Sequence, residues 1–140
     1  LKLKFSKGIN YKGVVEPENV NSVLSNYDIQ VFPTKYKTEG FPGSILDSFY
    51  AGVPVLSSEW NSAGDVIHDG VDGILFGFED FKDMKMKLLK VINSEAVLQR
   101  LKIGARARGK EYNYKKITSN MIKKMKLSKT CDELNWRRTC

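Results

Sequence analysis

Apolar positions along this chain fall into short dense runs that alternate with stretches of helical spacing. Ile9 to Val15, Asp28 to Pro33, Pro54 to Ser57 and Gly73 to Phe76 read as strands. Ile29, Val31 and Phe32 in the second, with Val53, Val55 and Leu56 around the third, have the branched density of strands covered on both faces, which favours a parallel sheet. Between these runs, Pro17-Glu18-Asn19 opens a helix with proline early and an acid in the first turn, carrying Val20, Val23 and Leu24 to Asn26. Gly43 to Ala51 reads as a second helix, closed by Gly52 and followed by Pro54.

Beyond the last strand the period is helical only. Phe81, Met84, Leu88, Val91 and Ile92 recur behind Glu79-Asp80, and Ser94 starts a segment bearing Leu98, Leu101 and Ala105. A third segment runs from Tyr114 to Leu127, with Ile117, Met121 and Met125 as one stripe among lysines. The order predicts an α/β fold, a doubly wound and mostly parallel sheet with helices at its C-terminal end.

Composition adds limits. The 140 residues are 41% hydrophobic and 28% charged, the profile of one globular domain with a core large enough to fold without disulfides or a structural metal. No stretch approaches the roughly 18 apolar residues of a spanning helix, and Leu1-Lys2-Leu3-Lys4-Phe5 is too short and too charged for a secretory signal. A cytoplasmic protein is expected. Cys131 and Cys140 lie near the end and His68 is the one histidine, so the sequence offers no zinc cluster of nitrogen and sulfur ligands, and the two thiols read as reduced. Residue 1 is Leu rather than Met, so the chain is expected to be part of something longer.

The net charge of +7 is uneven. Residues 1–97 hold 10 Lys/Arg against 13 Asp/Glu, whereas residues 98–140 hold 13 against 3. A basic tail attracts anions, but no zinc finger, ribonucleoprotein motif or helix-turn-helix accompanies it, so no nucleic-acid partner is expected. The lysine-rich helix has two readings: peripheral contact with an anionic membrane face, or packing of its apolar stripe on this domain or on another.

The chemistry concentrates between Pro33 and Val55. This segment leaves the carboxyl end of a strand and enters a helix N-terminus, where open α/β sheets bind ligands. Gly40 and Gly43 clear space for an approaching anion, and the amides of Gly43, Ser44, Ile45 and Leu46 should point out of the helix start with the positive end of its dipole. Glu39 and Asp47 bracket that cradle. Helical spacing turns Ile45, Leu46 and Phe49 toward the sheet and Ser44, Asp47 and Ser48 toward the cleft. A carboxylate one turn past a phosphate site suits ribose hydroxyls, and one just before it suits a group beyond the diphosphate. Taken singly, Glu39 also reads as a solvated loop acid and Asp47 as a first-turn acid facing the dipole.

Glu39-Gly40-Phe41-Pro42-Gly43-Ser44-Ile45-Leu46-Asp47 with Ala51-Gly52-Val53-Pro54-Val55 resembles the paired-acid signature of the nucleotide-binding C-terminal domain of GT-B glycosyltransferases, specifically glycosyltransferase family 4 (glycosyl transferases group 1). The similarity extends upstream through Tyr11 to Val15 and Asp28 to Pro33, and downstream through Asp65 to Gly70 and Gly73 to Phe76. The resemblance implies a Rossmann-like half of GT-B, with residues 1–127 as the donor nucleotide-sugar-binding domain and 128–140 as a tail. It implies a catalytic Glu39 by the reacting carbon of the donor sugar, and sugar contacts from Gly40, Phe41 and Pro42. Diphosphate contacts would come from Gly43, Ser44, Ile45 and Leu46, the ribose contact from Asp47, and a border to the base from Val15. It further implies transfer with retained configuration to a glycan or lipid-linked acceptor, no metal and no cofactor besides the nucleotide-sugar substrate, and an acceptor-binding N-terminal domain as partner.

Departures from the family pattern are Asp47 for glutamate, shorter by about 1.5 Å, and Asp65 for glutamate. The family's phosphate-clamping Arg and Lys precede the start of this chain, and Lys7, Lys35 and Lys37 do not match them. A nucleotide-sugar epimerase of the same fold and a non-catalytic nucleotide-binding module are the alternative functions. His68 reads as a solvated helix-end residue and Trp60 as a half-buried loop anchor.

Overall fold

The structure is a computed structural model and describes residues 8–125. A turn of 3-10 helix at Pro17–Asn19 leads into α1 (Val20–Leu24). Then follow β1 (Gln30–Phe32), α2 (Gly43–Ala51), β2 (Val55–Ser58), α3 (Ala63–Val66), β3 (Gly73–Phe76), α4 (Phe81–Ile92), α5 (Glu95–Glu111) and α6 (Tyr114–Lys124). The three strands form one parallel sheet in the order β1-β2-β3. Gln30 lies beside Val55, and Val55 beside Gly73.

Helices cover both faces. Val55, with Phe32 and Leu75, joins Ile45 and Phe49 of α2, Trp60, Ala63 and Val66 in and around α3, and Ala105 of α5. Ile74 points the other way by strand alternation and packs with Val91 of α4 and Leu98 and Leu101 of α5. The expected doubly wound α/β architecture is therefore present, and every pairing in the sheet is parallel.

Local chemistry sets the element ends. Gly52 ends α2 in the left-handed conformation (φ 73°), with its amide donating to Phe49 and Ser48 carbonyls, and Pro54 follows. Asp80 caps α4 by accepting from the Asp83 amide at 2.9 Å, and the Asp83 carboxylate accepts from the Gly77 amide at 2.9 Å and from Lys87 at 2.9 Å. Asn113 caps α6 by accepting from the Lys115 amide at 3.0 Å.

α5 lies unusually close to its neighbours. A Cβ at Gly109 would run into the Phe49 carbonyl, and one at Gly104 into the Val71 carbonyl, so these two glycines admit backbone to backbone.

One expectation is corrected. Ile9 to Val15 is no strand: Ile9, Tyr11 and Val14 are exposed, Gly8 and Gly13 sit at φ 98° and 80°, and the run pairs with nothing in the sheet. Positive φ at both glycines breaks the extended geometry that a ladder needs. The stripe on α6, for which packing on this domain is one of the readings, is left largely open among the described residues, with Ile117, Met121 and Met125 47%, 54% and 58% exposed. The expectations for Leu1 to Phe5, Lys7, the end of the third helical segment at Leu127, the tail and its two cysteines lie outside the described residues.

Candidate functional site

β1 delivers the chain to Pro33 and Thr34, a loop carries Glu39, and α2 starts at Gly43 on the carboxyl side of the sheet. The loop is tied to the core at both ends. Ser58 Oγ, on the last residue of β2, donates to the Thr34 carbonyl at 2.7 Å, and the Asn61 amide donates to the Lys37 carbonyl at 3.0 Å.

Glu39 is half-buried, and its Oε2 accepts from Thr34 Oγ1 at 2.9 Å. Its carbonyl accepts from Ser62 Oγ at 3.4 Å, and Ser62 Oγ in turn accepts from Trp60 Nε1 at 3.2 Å. Trp60, read from sequence as half-buried, is 2% exposed. Its ring packs edge-on against Phe32, with centroids 6.1 Å apart.

At the helix start, Pro42 holds the cap position and no side chain caps the turn. The amides of Ile45 and Leu46 both donate to the Pro42 carbonyl, at 3.1 and 3.4 Å. This corrects the expectation of four open amides: of these four, only those of Gly43 and Ser44 have no acceptor among the described residues. A Cβ at Gly40 or Gly43 would touch nothing within 4 Å, so both glycines face open space.

Asp47 is half-buried and makes no hydrogen bond or ion pair among the described residues. Ser48 is fully buried and donates to Gln30 Oε1, which corrects its placement toward the cleft. Gln30 on β1 offers a polar acceptor beneath the helix, so a serine serves there in place of an apolar residue.

Phe41 is 47% exposed, and its ring meets Tyr112 edge-on at 5.1 Å, which ties the loop to the end of α5. Val15 is half-buried just ahead of Pro17, in the segment that forms no strand. Lys35 and Lys37 sit over the rings of Phe81 and Phe78, at 5.6 and 5.2 Å, and so are held toward the α4 side.

Behind the site lies a charged network that local pattern does not reveal, because Arg108 is far in sequence from His68 and Asp72. Asp72 is buried and accepts from the His68 amide at 2.8 Å, with Arg108 Nε 3.8 Å away. Burial pushes the Asp72 carboxyl above its ordinary range, against the lowering effect of the His68 hydrogen bond and of the His68 and Arg108 charges. Arg108 also donates to the carbonyls of Asp65 and Val66 at the end of α3, at 3.0 and 3.4 Å, and to Glu111 at 2.9 Å. It stacks on Tyr112 at 5.1 Å. His68 is exposed, as expected.

Together these elements define a parallel α/β domain with an open, acid-flanked helix start at the carboxyl edge of its sheet. The family described as glycosyl transferases group 1 matches residues 1–110, and the chain belongs to it. It is 34% identical over 86 residues to a Campylobacter jejuni protein named GalNAc-alpha-(1->4)-GalNAc-alpha-(1->3)-diNAcBac-PP-undecaprenol alpha-1,4-N-acetyl-D-galactosaminyltransferase, covering 61% of this chain and 24% of that protein. Two uncharacterized glycosyltransferases of Methanocaldococcus jannaschii, MJ1069 and MJ1178, are 27% and 24% identical over 89 and 106 residues. Those matches cover 64% and 76% of this chain, and 22% and 30% of the relatives. The chain thus spans less than a third of the length of these relatives.

Proposed function

We propose that this chain is the donor-binding half of a retaining glycosyltransferase that moves a sugar from a nucleoside diphosphate sugar to a glycan or lipid-linked acceptor. The observation that carries this reading is the placement of Glu39 and Asp47 on either side of the open Gly43 and Ser44 amides at the N-terminus of α2. The relative named for transfer to an undecaprenol-linked glycan supports the acceptor class.

In this reading the diphosphate sits on the Gly43 and Ser44 amides, where the helix dipole favours negative charge. Asp47, with no partner among the described residues, accepts from the ribose hydroxyls. Glu39 faces the sugar with the oxygen that Thr34 leaves unoccupied. As the bond between the anomeric carbon and the diphosphate oxygen breaks, the same amides and dipole stabilise the charge on the leaving nucleotide. A new bond forms from the anomeric carbon to the acceptor hydroxyl oxygen, and the hydroxyl proton passes to the departing diphosphate oxygen. The acceptor-binding half packs against this one across the Glu39–Asp47 corner, and the open stripe of α6 is a second surface for it.

Calorimetry with UDP, GDP and their sugars tests the assignment. Asp47→Ala should weaken nucleotide binding itself by roughly 10- to 100-fold, the value of a hydrogen bond to a charged group. Glu39→Ala should leave the bare nucleotide unaffected and weaken the sugar-bearing form. A wild-type chain that binds neither nucleotide overturns the reading.

A further inference from the structure

We infer that Thr34 is the positioning residue of Glu39, selecting which carboxylate oxygen the glutamate presents to the donor sugar; the inference rests on the donor-binding reading above. Thr34 Oγ1 accepts from the Tyr36 amide at 3.1 Å and lies 2.9 Å from Glu39 Oε2. A hydroxyl carries a single hydrogen. The Tyr36 amide takes one lone pair, and a carboxylate oxygen has no hydrogen to give, so that hydrogen is directed at the glutamate and the contact has one polarity: threonine donates and carboxylate accepts.

The threonine is itself held. Its carbonyl accepts from the buried Ser58, and its branched Cβ restricts rotation about the first side-chain bond. The backbone of Glu39 is held separately through Ser62 and the buried Trp60. The glutamate is therefore fixed at its backbone from the α3 side and at Oε2 from the β1 side. Among the described residues Oε1 has no partner. One oxygen is spoken for and the other is free for a ligand. The hydroxyl at position 34 is what makes the two oxygens inequivalent.

Two measurements on the full chain test this. The first needs no ligand: the side-chain carboxyl carbon resonance of Glu39, observed by NMR, should move in Thr34→Val and stay near its wild-type position in Thr34→Ser, which keeps the hydroxyl. The second is the ratio of the affinities for nucleotide-sugar and bare nucleotide, with UDP-N-acetylgalactosamine and UDP, and GDP-mannose and GDP, as probes. Thr34→Val should lower that ratio by roughly 2- to 12-fold, the loss expected when one side chain must be ordered on binding. Thr34→Ser should restore it, and bare nucleotide should bind all variants alike. Thr34→Ala stands in if crowding by valine prevents folding.

An unmoved Glu39 resonance in Thr34→Val, an unchanged ratio, or a serine variant as poor as valine overturns the inference and leaves the donor-binding reading standing. A wild-type chain that takes none of the four probes removes both.

Discussion

Single residues show where polar chemistry departs from pattern. Helical spacing put Ser48 with Asp47 on an open face, yet Ser48 is buried because Gln30 provides an acceptor beneath it. A wheel drawn from one helix carries no knowledge of what the strand below offers. Glu39, Gly43, Ser44 and Asp47 were legible as a group because their spacing is local, whereas Thr34 and Ser62 become partners of Glu39 only through the path of the loop and α3. Asp83 makes a prediction at this scale. Its hydrogen bond from Lys87, then that from the Gly77 amide, hold its carboxyl below the ordinary aspartate range. A depressed native pKa means that the stabilisation is present above the ordinary aspartate range and is lost as pH falls through the lower native value. Thermal melts of wild type and Asp83→Asn should differ at neutral pH and converge below that range. Gly109→Ala should destabilise the fold by more than the roughly 1 kcal/mol that alanine normally adds to a helix, because its Cβ meets the Phe49 carbonyl. A denaturant midpoint raised above wild type would contradict the close approach.

Elements were read best where punctuation is chemical. The bounds of α2 follow from Pro42 before it and the glycine–proline stop after it, and α4 follows from its aspartate cap. The strands at Gln30, Val55 and Gly73 were visible as dense branched runs. Ile9 to Val15 carries a similar apolar content and is no strand, since apolar content does not report the glycine conformations within it. α6 shows the converse, a correct helix whose apolar stripe stays largely open among the described residues. The joint substitution Ile117→Ser and Met121→Ser should therefore change the unfolding free energy of the chain by less than about 0.5 kcal/mol per site. Leu101→Ala, in the fully buried face of α5, should cost about 2–5 kcal/mol. Urea unfolding of the three proteins measures both. A large loss in the α6 variant would show that the stripe is covered after all.

At the scale of the whole molecule, fold class was legible because alternating strands and helices leave few topologies, and the parallel right-handed connection is strongly preferred. The charged network of Asp72, His68 and Arg108 was not, because it joins the end of α3 to α5 across the molecule. No helix among the described residues is long and apolar enough to cross a membrane. The matched segments of the chain cover 22–30% of the length of these relatives. On the proposed donor-binding reading, the chain by itself should bind donor weakly and transfer no sugar. Incubation of UDP- and GDP-sugars with the isolated chain and a lipid-linked glycan, followed by chromatography, should return the donor unchanged.

The bare contact at Gly109 has a reach of its own. No compressible side chain lies between the backbones of α5 and α2 there, so the two helices behave as a beam and its strut. The two open amides at the front of α2 sit roughly 9 Å along that beam from the strut, and their aim is set from behind. Any force that tilts α5 reaches those amides through backbone contact rather than through a side chain.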